Sequence, residues 1–224
     1  DRHERENFRA LVGAGIIPSA FEPQVTVPAV AEEPFAGVRD VVVFHLWASG
    51  AQSWLREWPE DRWIALAHRL TETETVFAIT GAPSDLDRIK PFVMRMNEAG
   101  LNAQPFVGTD GFVSLAHLLL KARLVVSVNT GVMHLAAILG APTISLNGPT
   151  NNGRWGPVGP RALGVQPDGD GCGYLNLGFE FDGQATDCME RIPVESVFAA
   201  ANEVMHRQCE DLTVQTHGTV LGSL

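Results

Sequence analysis

Basic residues are scarce in this chain. Lys and Arg number 16 against 26 Asp and Glu, which leaves a net charge of -10. A nucleic-acid partner needs a basic face, so that class of function is disfavoured. No stretch approaches the roughly 20 consecutive apolar residues of a membrane-spanning helix, and no secretory signal is visible. Cysteine is sparse and odd in number: Cys172, Cys188 and Cys209. They form neither a disulfide framework nor a zinc-ligand spacing, and the expectation is reduced thiols in a reducing compartment. Motifs are missing too. There is no Gly-x-Gly-x-x-Gly, no Walker loop and no Gly-x-Ser-x-Gly, so a nicotinamide enzyme, a P-loop NTPase and a nucleophile-elbow hydrolase are all unsupported. No internal repeat is present. There is no initiator Met either; the chain starts Asp1-Arg2-His3-Glu4 and is expected to be the C-terminal part of a longer protein.

What is there is an ordinary globular composition, 45% apolar and 19% charged over 224 residues, enough for one large domain or one domain with appendages. The chain is organised around residues 124–149. A β-branched apolar run, Leu124-Val125-Val126-Ser127-Val128, is too short for a helix and reads as a buried parallel strand. Asn129-Thr130-Gly131 breaks it, and either Asn129 or Thr130 can cap the helix expected over 132–139. Gly140 and Pro142 end that helix, and a second strand at 143–146 runs into Asn147-Gly148-Pro149-Thr150. The turn therefore lies at the carboxyl end of a strand, where open α/β sheets bind ligands. The N–H groups opening the following helix form an anion site.

The rest of the chain repeats this alternation. Residues 1–17 carry Phe8, Leu11 and Val12 at helical spacing, and 18–37 hold Pro18, Pro23, Pro28 and Pro34, a linker or an extended crossing segment. Strands are expected at 41–46, 75–79, 104–107 and 162–165. Helices are expected at 60–70, from Ser84 as N-cap to Glu98, at 115–121 with Ser114 as cap, and from 194 to about Cys209. Pro91 is placed to kink the second of these. Residues 151–160 read as loop, 167–183 are Gly- and Asp-rich without a period, and the tail from Thr213 carries no strong signal. Strands alternating with helices predict an α/β fold, a doubly wound Rossmann-like parallel sheet with right-handed crossovers and helices on both faces.

Polar turns at 45–56, 81–87 and 129–134 then open on one sheet edge. The backbone N–H groups of residues 130–132 suit a phosphate, and His134 lies about one turn further on; a capped helix with a packed His is the equal alternative. Arg56, just before a helix, suits a diphosphate as a bidentate partner, or is an exposed loop Arg. Ser49 and Ser53 in the same loop are weaker phosphate candidates. Asp85 is placed to accept ribose hydroxyls, or to compensate a helix dipole. Asp168-Gly169-Asp170 has the form of a metal-binding D-x-D, but its Gly-rich setting reads as a turn.

The run Val125 to Ala137, with Gly140-Ala141-Pro142 and Asn147-Gly148-Pro149-Thr150 behind it, resembles the signature of family-9 glycosyltransferases, the ADP-heptose:lipopolysaccharide heptosyltransferases and their relatives. Trp58-Pro59, Thr80-Gly81-Ala82, Ser114-Leu115 and Cys188-Met189 with Ile192 and Val197 agree, so the resemblance covers about residues 41–204. It implies a GT-B enzyme of two Rossmann-like domains with the active site between them. Residues 1–38 would be the interdomain helix and linker, 39–210 the nucleotide-sugar-binding domain, and 211–224 a C-terminal tail. The family transfers sugar with inversion and without an obligatory metal. Its catalytic Asp base belongs to the N-terminal, acceptor-binding domain, so no catalytic residue is expected in this chain. Carried over by position, Arg56 replaces a phosphate-contacting Lys. Asp85 holds the ribose, Val113 lies beside the base, and Thr130, Gly131 and His134 hold the diphosphate. Asn129 stands at the donor sugar where the family has Asp, and the loop at 45–56 is longer than usual.

The first reading is thus an inverting transferase domain. It takes a nucleotide sugar, ADP-heptose-like, as substrate and serves a lipopolysaccharide core or another lipid-linked glycan acceptor. It has no nucleic-acid partner, and it acts in the cytoplasm with a peripheral contact at the inner membrane. The alternative is a non-catalytic nucleotide-binding or scaffolding module derived from that family. A sugar-nucleotide epimerase of similar architecture fits the signature less well.

Overall fold

The computed structural model describes residues 2–12, 25–107 and 111–207. Cys209, the tail at 211–224 and residues 13–17 of the first segment lie outside the described residues. In chain order the elements are α1 (Glu4–Val12), β1 (Val41–His45), α2 (Glu60–Leu70), β2 (Val76–Thr80), α3 (Leu86–Glu98), β3 (Ala103–Phe106), α4 (Phe112–Lys121), β4 (Leu124–Val128), α5 (Gly131–Ile138), β5 (Thr143–Leu146), α6 (Asn152–Trp155), β6 (Ala162–Val165) and α7 (Val194–His206). Short 3-10 turns at Ser53–Arg56 and Pro83–Asp85 precede α2 and α3.

The strands form one six-stranded sheet in the order β3-β2-β1-β4-β5-β6, every pair parallel. The expected doubly wound sheet is there. Strand order reverses between β1 and β4, where Phe44 pairs with Val126 and His45 with Ser127. That is the topological switch point, and crossovers leave on opposite faces from it.

The strand pleat sorts the core. Val42, Phe44, Val126 and Val128 face α2, α3 and α7, while Val41, Val43, Val125 and Ala78 face α4, α5 and the segment from Val25 to Val38. Both faces being covered, the strands read as continuous apolar runs rather than alternating ones. On the first face Trp63 is fully buried between Phe44, at 4.9 Å, and Trp58, at 5.4 Å. Trp58 donates to the Ile192 carbonyl at 3.1 Å, which ties the Trp58-Pro59 block to the chain ahead of α7. On α7, Val197, Ala201 and Val204 are buried and Ala200 and Met205 partly so.

Helix ends follow their chemistry. α3 closes as a Schellman motif: Gly100, at φ +80°, donates to Asn97 and Leu101 donates to Met96, each at 3.0 Å. Gly140 repeats the motif after α5, with Gly140 donating to Ala137 and Ala141 to Ala136. Pro91 lies inside an unbroken α3.

Four sequence expectations fail. Ser84 is not the cap of α3; it sits within the 3-10 turn, and Asp85 takes the cap position. Ser114 does not cap α4, which starts earlier, after Gly111 at φ +66°. The 151–160 segment is not all loop, because Asn151 accepts from the Arg154 N–H and caps α6. Finally, Cys172 and Cys188 are joined in a disulfide, with their Cα atoms 5.7 Å apart. Neither spacing nor composition brings them together. A backbone register does: Gly173 donates to Gly148 at 3.0 Å and Leu175 to Pro149 at 2.8 Å, laying the aperiodic segment against the turn after β5.

Candidate functional site

A cavity of about 470 Å³ opens at the carboxyl ends of β1, β2 and β4, across the switch point. Ser49, Asp85, Thr130 and Gly131 line it together. The convergence of the three polar turns is therefore real for these residues.

The start of α5 forms one wall. Its first intrahelical bond runs from the His134 N–H to the Thr130 carbonyl, so the N–H groups of Gly131, Val132 and Met133 precede it. No side chain caps them. A Cβ placed on Gly131 would meet nothing within 4 Å, and the backbone there is not left-handed. Neither packing nor conformation requires glycine, and the space in front of this anion-attracting helix end is open. The Thr130 hydroxyl lies 3.3 Å from that of Ser127.

Arg56 does not line the cavity but is bonded to Ser49, which does. Its Nη2 donates to the Ser49 carbonyl, and its Nε is buried without a hydrogen-bond partner. Burial pushes its pKa down, the charge of Glu57 pulling the other way. Glu57 itself is bidentate to Arg88, at 3.0 and 2.5 Å. Among the described residues no carboxylate ion-pairs with Arg56, so a desolvated guanidinium is held beside the cleft with its charge unspent. Ser53 begins the 3-10 turn and does not line the cavity.

His134 is half-buried on α5 and does not line the cavity. Burial first, then the neighbouring His3, holds its pKa below the ordinary value of 6.5. His3 belongs to the lead into α1, which is tied down nearby through Gly156 at 3.1 Å and through a Glu4–Arg154 ion pair at 2.8 Å.

Asp85 is partly committed. Its Oδ2 accepts from the Ala82 N–H at 2.8 Å, which closes the turn; a Cβ on Gly81 would come within 2.8 Å of Ile89 Cδ1 and 3.1 Å of that oxygen. Val113 does not line the cavity; it packs against the α4 side of the core, and Phe112 and Leu115 take the cavity wall instead. Phe112 is 77% exposed there.

Asn129 is spent on the fold. Its Nδ2 donates to the Asn147 Oδ1 at 2.7 Å and to the Trp155 carbonyl at 2.8 Å. A carbonyl only accepts, so the atom facing it is the amide nitrogen. Asn147, fully buried, also accepts from Ser145 and donates to Asn152 at 2.6 Å. Gly164 makes room for the network, since a Cβ there would lie 1.8 Å from the Asn152 oxygen. The Asp170 turn is likewise structural: Asp168 and Asp170 offer backbone carbonyls to Arg191 at 2.9 and 3.2 Å, with Gly169 and Gly171 left-handed.

Sequence reasoning passed over His45, which ends β1, is buried and lines the cavity. Its signal was present, a lone polar residue at the carboxyl end of an apolar strand. Phe112 gave none, since it precedes the helix expected at 115–121 and only the earlier start of α4 brings it to the cavity.

The sequence matches glycosyltransferase family 9 (heptosyltransferase) over residues 19–171. It is 36% identical over 105 residues to lipopolysaccharide heptosyltransferase 1 of Pseudomonas aeruginosa, covering 46% of this chain and 28% of that protein. The fold is similar to the family-9 glycosyl transferase of Veillonella parvula, with a TM-score of 0.67, 17% identity and coverage of 91% of this chain and 60% of that one. It is also similar to E. coli heptosyltransferase WaaC solved with ADP, with a TM-score of 0.61, 22% identity and coverage of 91% and 57%. The chain thus spans less than two thirds of the length of each of these relatives. No described helix is long and apolar enough to cross a membrane. With the signature turn at the switch point and the family match running over more than half of its length, the chain belongs to glycosyltransferase family 9, the heptosyltransferase family.

Proposed function

We propose that this chain is the donor-binding part of an inverting glycosyltransferase that takes an ADP-heptose-like nucleotide sugar. The sugar passes to a lipopolysaccharide core or another lipid-linked envelope glycan. The observation that carries the reading is the set of uncapped α5 N–H groups at the cleft, with a half-buried Arg56 that has no ion-pair partner among the described residues bonded to Ser49 on the cleft lining. Both stabilise a diphosphate, and a diphosphate is the group that gains charge as the glycosidic bond to the sugar breaks. Helix dipole, guanidinium and His134 supply that stabilisation, so the reading calls for no obligatory metal. The base that deprotonates the acceptor comes from an N-terminal, acceptor-binding domain, residues 1–38 serving as the interdomain helix and linker and 39–210 as the nucleotide-sugar domain. In the cleft, Asp85 takes the ribose, and Phe112 and Leu115 flank the base in place of Val113.

One observation favours the alternative, a nucleotide-binding module without transfer chemistry. Asn129 brings no charge to the sugar, and its amide nitrogen is already committed to Asn147 and Trp155. Calorimetric titration with ADP, UDP and GDP tests the first reading: ADP is expected to bind best, and preference for UDP or GDP overturns the ADP-heptose assignment. Transfer of heptose by the full-length protein separates enzyme from module. The expected place of action is the cytoplasm, at the inner face of the membrane. There the Cys172–Cys188 pair would be held as thiols, so finding it oxidised in cells contradicts that placement.

A further inference from the structure

His45 presents an unused acceptor to the cleft. Its Nδ1 lies 3.0 Å from the Thr80 hydroxyl oxygen and 3.2 Å from the Thr80 carbonyl. The Thr80 hydroxyl gives its own proton to the Phe44 carbonyl at 3.2 Å. Both Thr80 oxygens therefore accept from the ring, and Nδ1 must carry the proton. Burial holds the imidazole neutral, acting against the Thr80 bond and the charge of Asp85. In the neutral ring, Nε2 is then a lone-pair acceptor. The residue is 9% exposed and lines the cavity, and Nε2 has no protein partner among the described residues. Nε2 is not itself a buried atom, so it opens onto the cleft and can accept a hydrogen bond from a ligand there.

Asp85 also lines the cavity, and its charge reaches His45. With Oδ2 closing the Ala82 turn, Oδ1 is its remaining acceptor. Two acceptors, one ending β1 and one in the turn after β2, thus line the same cavity as Phe112, Leu115 and the α5 N-terminus. Phosphate oxygens would be repelled by a lone pair, whereas a vicinal diol offers two O–H donors. Resting on the nucleotide reading above, we propose that His45 Nε2 accepts one ribose hydroxyl of the donor and Asp85 Oδ1 the other. His45 is then a specificity residue that selects ribonucleotides over deoxyribonucleotides.

The test is calorimetric titration of the chain with ADP, 2′-deoxy-ADP and 3′-deoxy-ADP. Wild type is expected to bind each deoxy analogue roughly tenfold more weakly than ADP. His45→Phe should weaken ADP by about the same tenfold factor while leaving one of the two analogues at its wild-type affinity, so discrimination at one hydroxyl vanishes and at the other survives. His45→Gln, which can carry an amide oxygen to the place of Nε2, should restore part of it. Equal weakening of all three ligands by His45→Phe would mean a packing role and overturn the proposal, as would three unchanged affinities. Failure of wild type to bind any of them overturns the nucleotide reading, and this proposal with it.

Discussion

Each edge of the sheet carries a cavity. The one at the amino ends of the strands measures about 610 Å³ and the one at the carboxyl ends about 470 Å³. The larger is lined by Arg69, Arg123 and Arg161, and by charge alone it looks the better anion site. Its cations are already used. Arg69 pairs with Glu195 at 2.8 Å and stacks over Phe198. Arg123 holds Asp40 and donates to the Leu70 carbonyl at 2.8 Å. Arg161 reaches the last carbonyls of α7 at 3.4 Å. Helices α2, α4, α5 and α7 all end at that edge, and their carbonyl ends favour cations and repel anions. At the carboxyl edge α5 begins instead, and groups there are left over: helix N–H groups, Arg56 Nε and His45 Nε2. What marks a site in this molecule is unspent polar capacity, not volume.

The contrast is sharpest at Asn129, a signature residue at the carboxyl edge whose amide nitrogen is spent. Asn129→Asp would turn carboxylate oxygens on the Trp155 carbonyl and the Asn147 oxygen. A loss of about 2–4 kcal/mol in urea denaturation is expected from two broken, partly buried bonds. A variant as stable as wild type would show that the network is dispensable. Arg56→Ala is expected to cost about 1.5–3 kcal/mol in ADP binding, roughly ten- to a hundredfold in Kd, by loss of a charge-assisted contact. Arg161→Ala, at the other edge, should leave ADP affinity unchanged; calorimetry on the pair compares the two cavities directly.

Gly131→Ala separates fold from function at a single atom. The new Cβ enters open space at an ordinary backbone conformation, so stability should hold or rise by up to about 1 kcal/mol. Affinity for ADP should fall roughly tenfold, about 1.4 kcal/mol, because the methyl occupies the phosphate approach. Unchanged binding would place the phosphates elsewhere. The smallest effect concerns pH. His45 and His134 have folded pKa values below the ordinary 6.5, so the unfolded chain takes up protons first. Their contribution is constant at and above pH 7 and is lost as pH falls through 6.5. Urea midpoints should be flat between pH 7 and 8 and decline below 6.5, and His45→Phe should flatten part of that decline.

Sheet and helices were legible because periodicity records burial. The bounds of α2, β4, β5 and β6 are those expected from apolar runs and flanking Gly or Pro. Caps were less legible, since Ser84 and Ser114 are good cap residues overruled by a 3-10 turn and by a left-handed Gly111. At the site, Thr130, Gly131 and Asp85 could be placed from strand ends alone. The commitment of Asn129, the tie of Arg56 to Ser49 and the Cys172–Cys188 bond could not. Each depends on a partner far away in sequence, Trp155, a folded loop or the Gly148 register, which no local pattern encodes.

The measurement that bears most directly on this contrast is amide chemical-shift mapping of the chain by NMR as ADP is added. Shifts concentrated at Gly131, Val132 and Met133, with the Gly81–Asp85 turn following, are the predicted result. Shifts concentrated at Thr71, Ala122 and Gly140, with the α5 start unmoved, would put the ligand in the larger cavity and contradict the account.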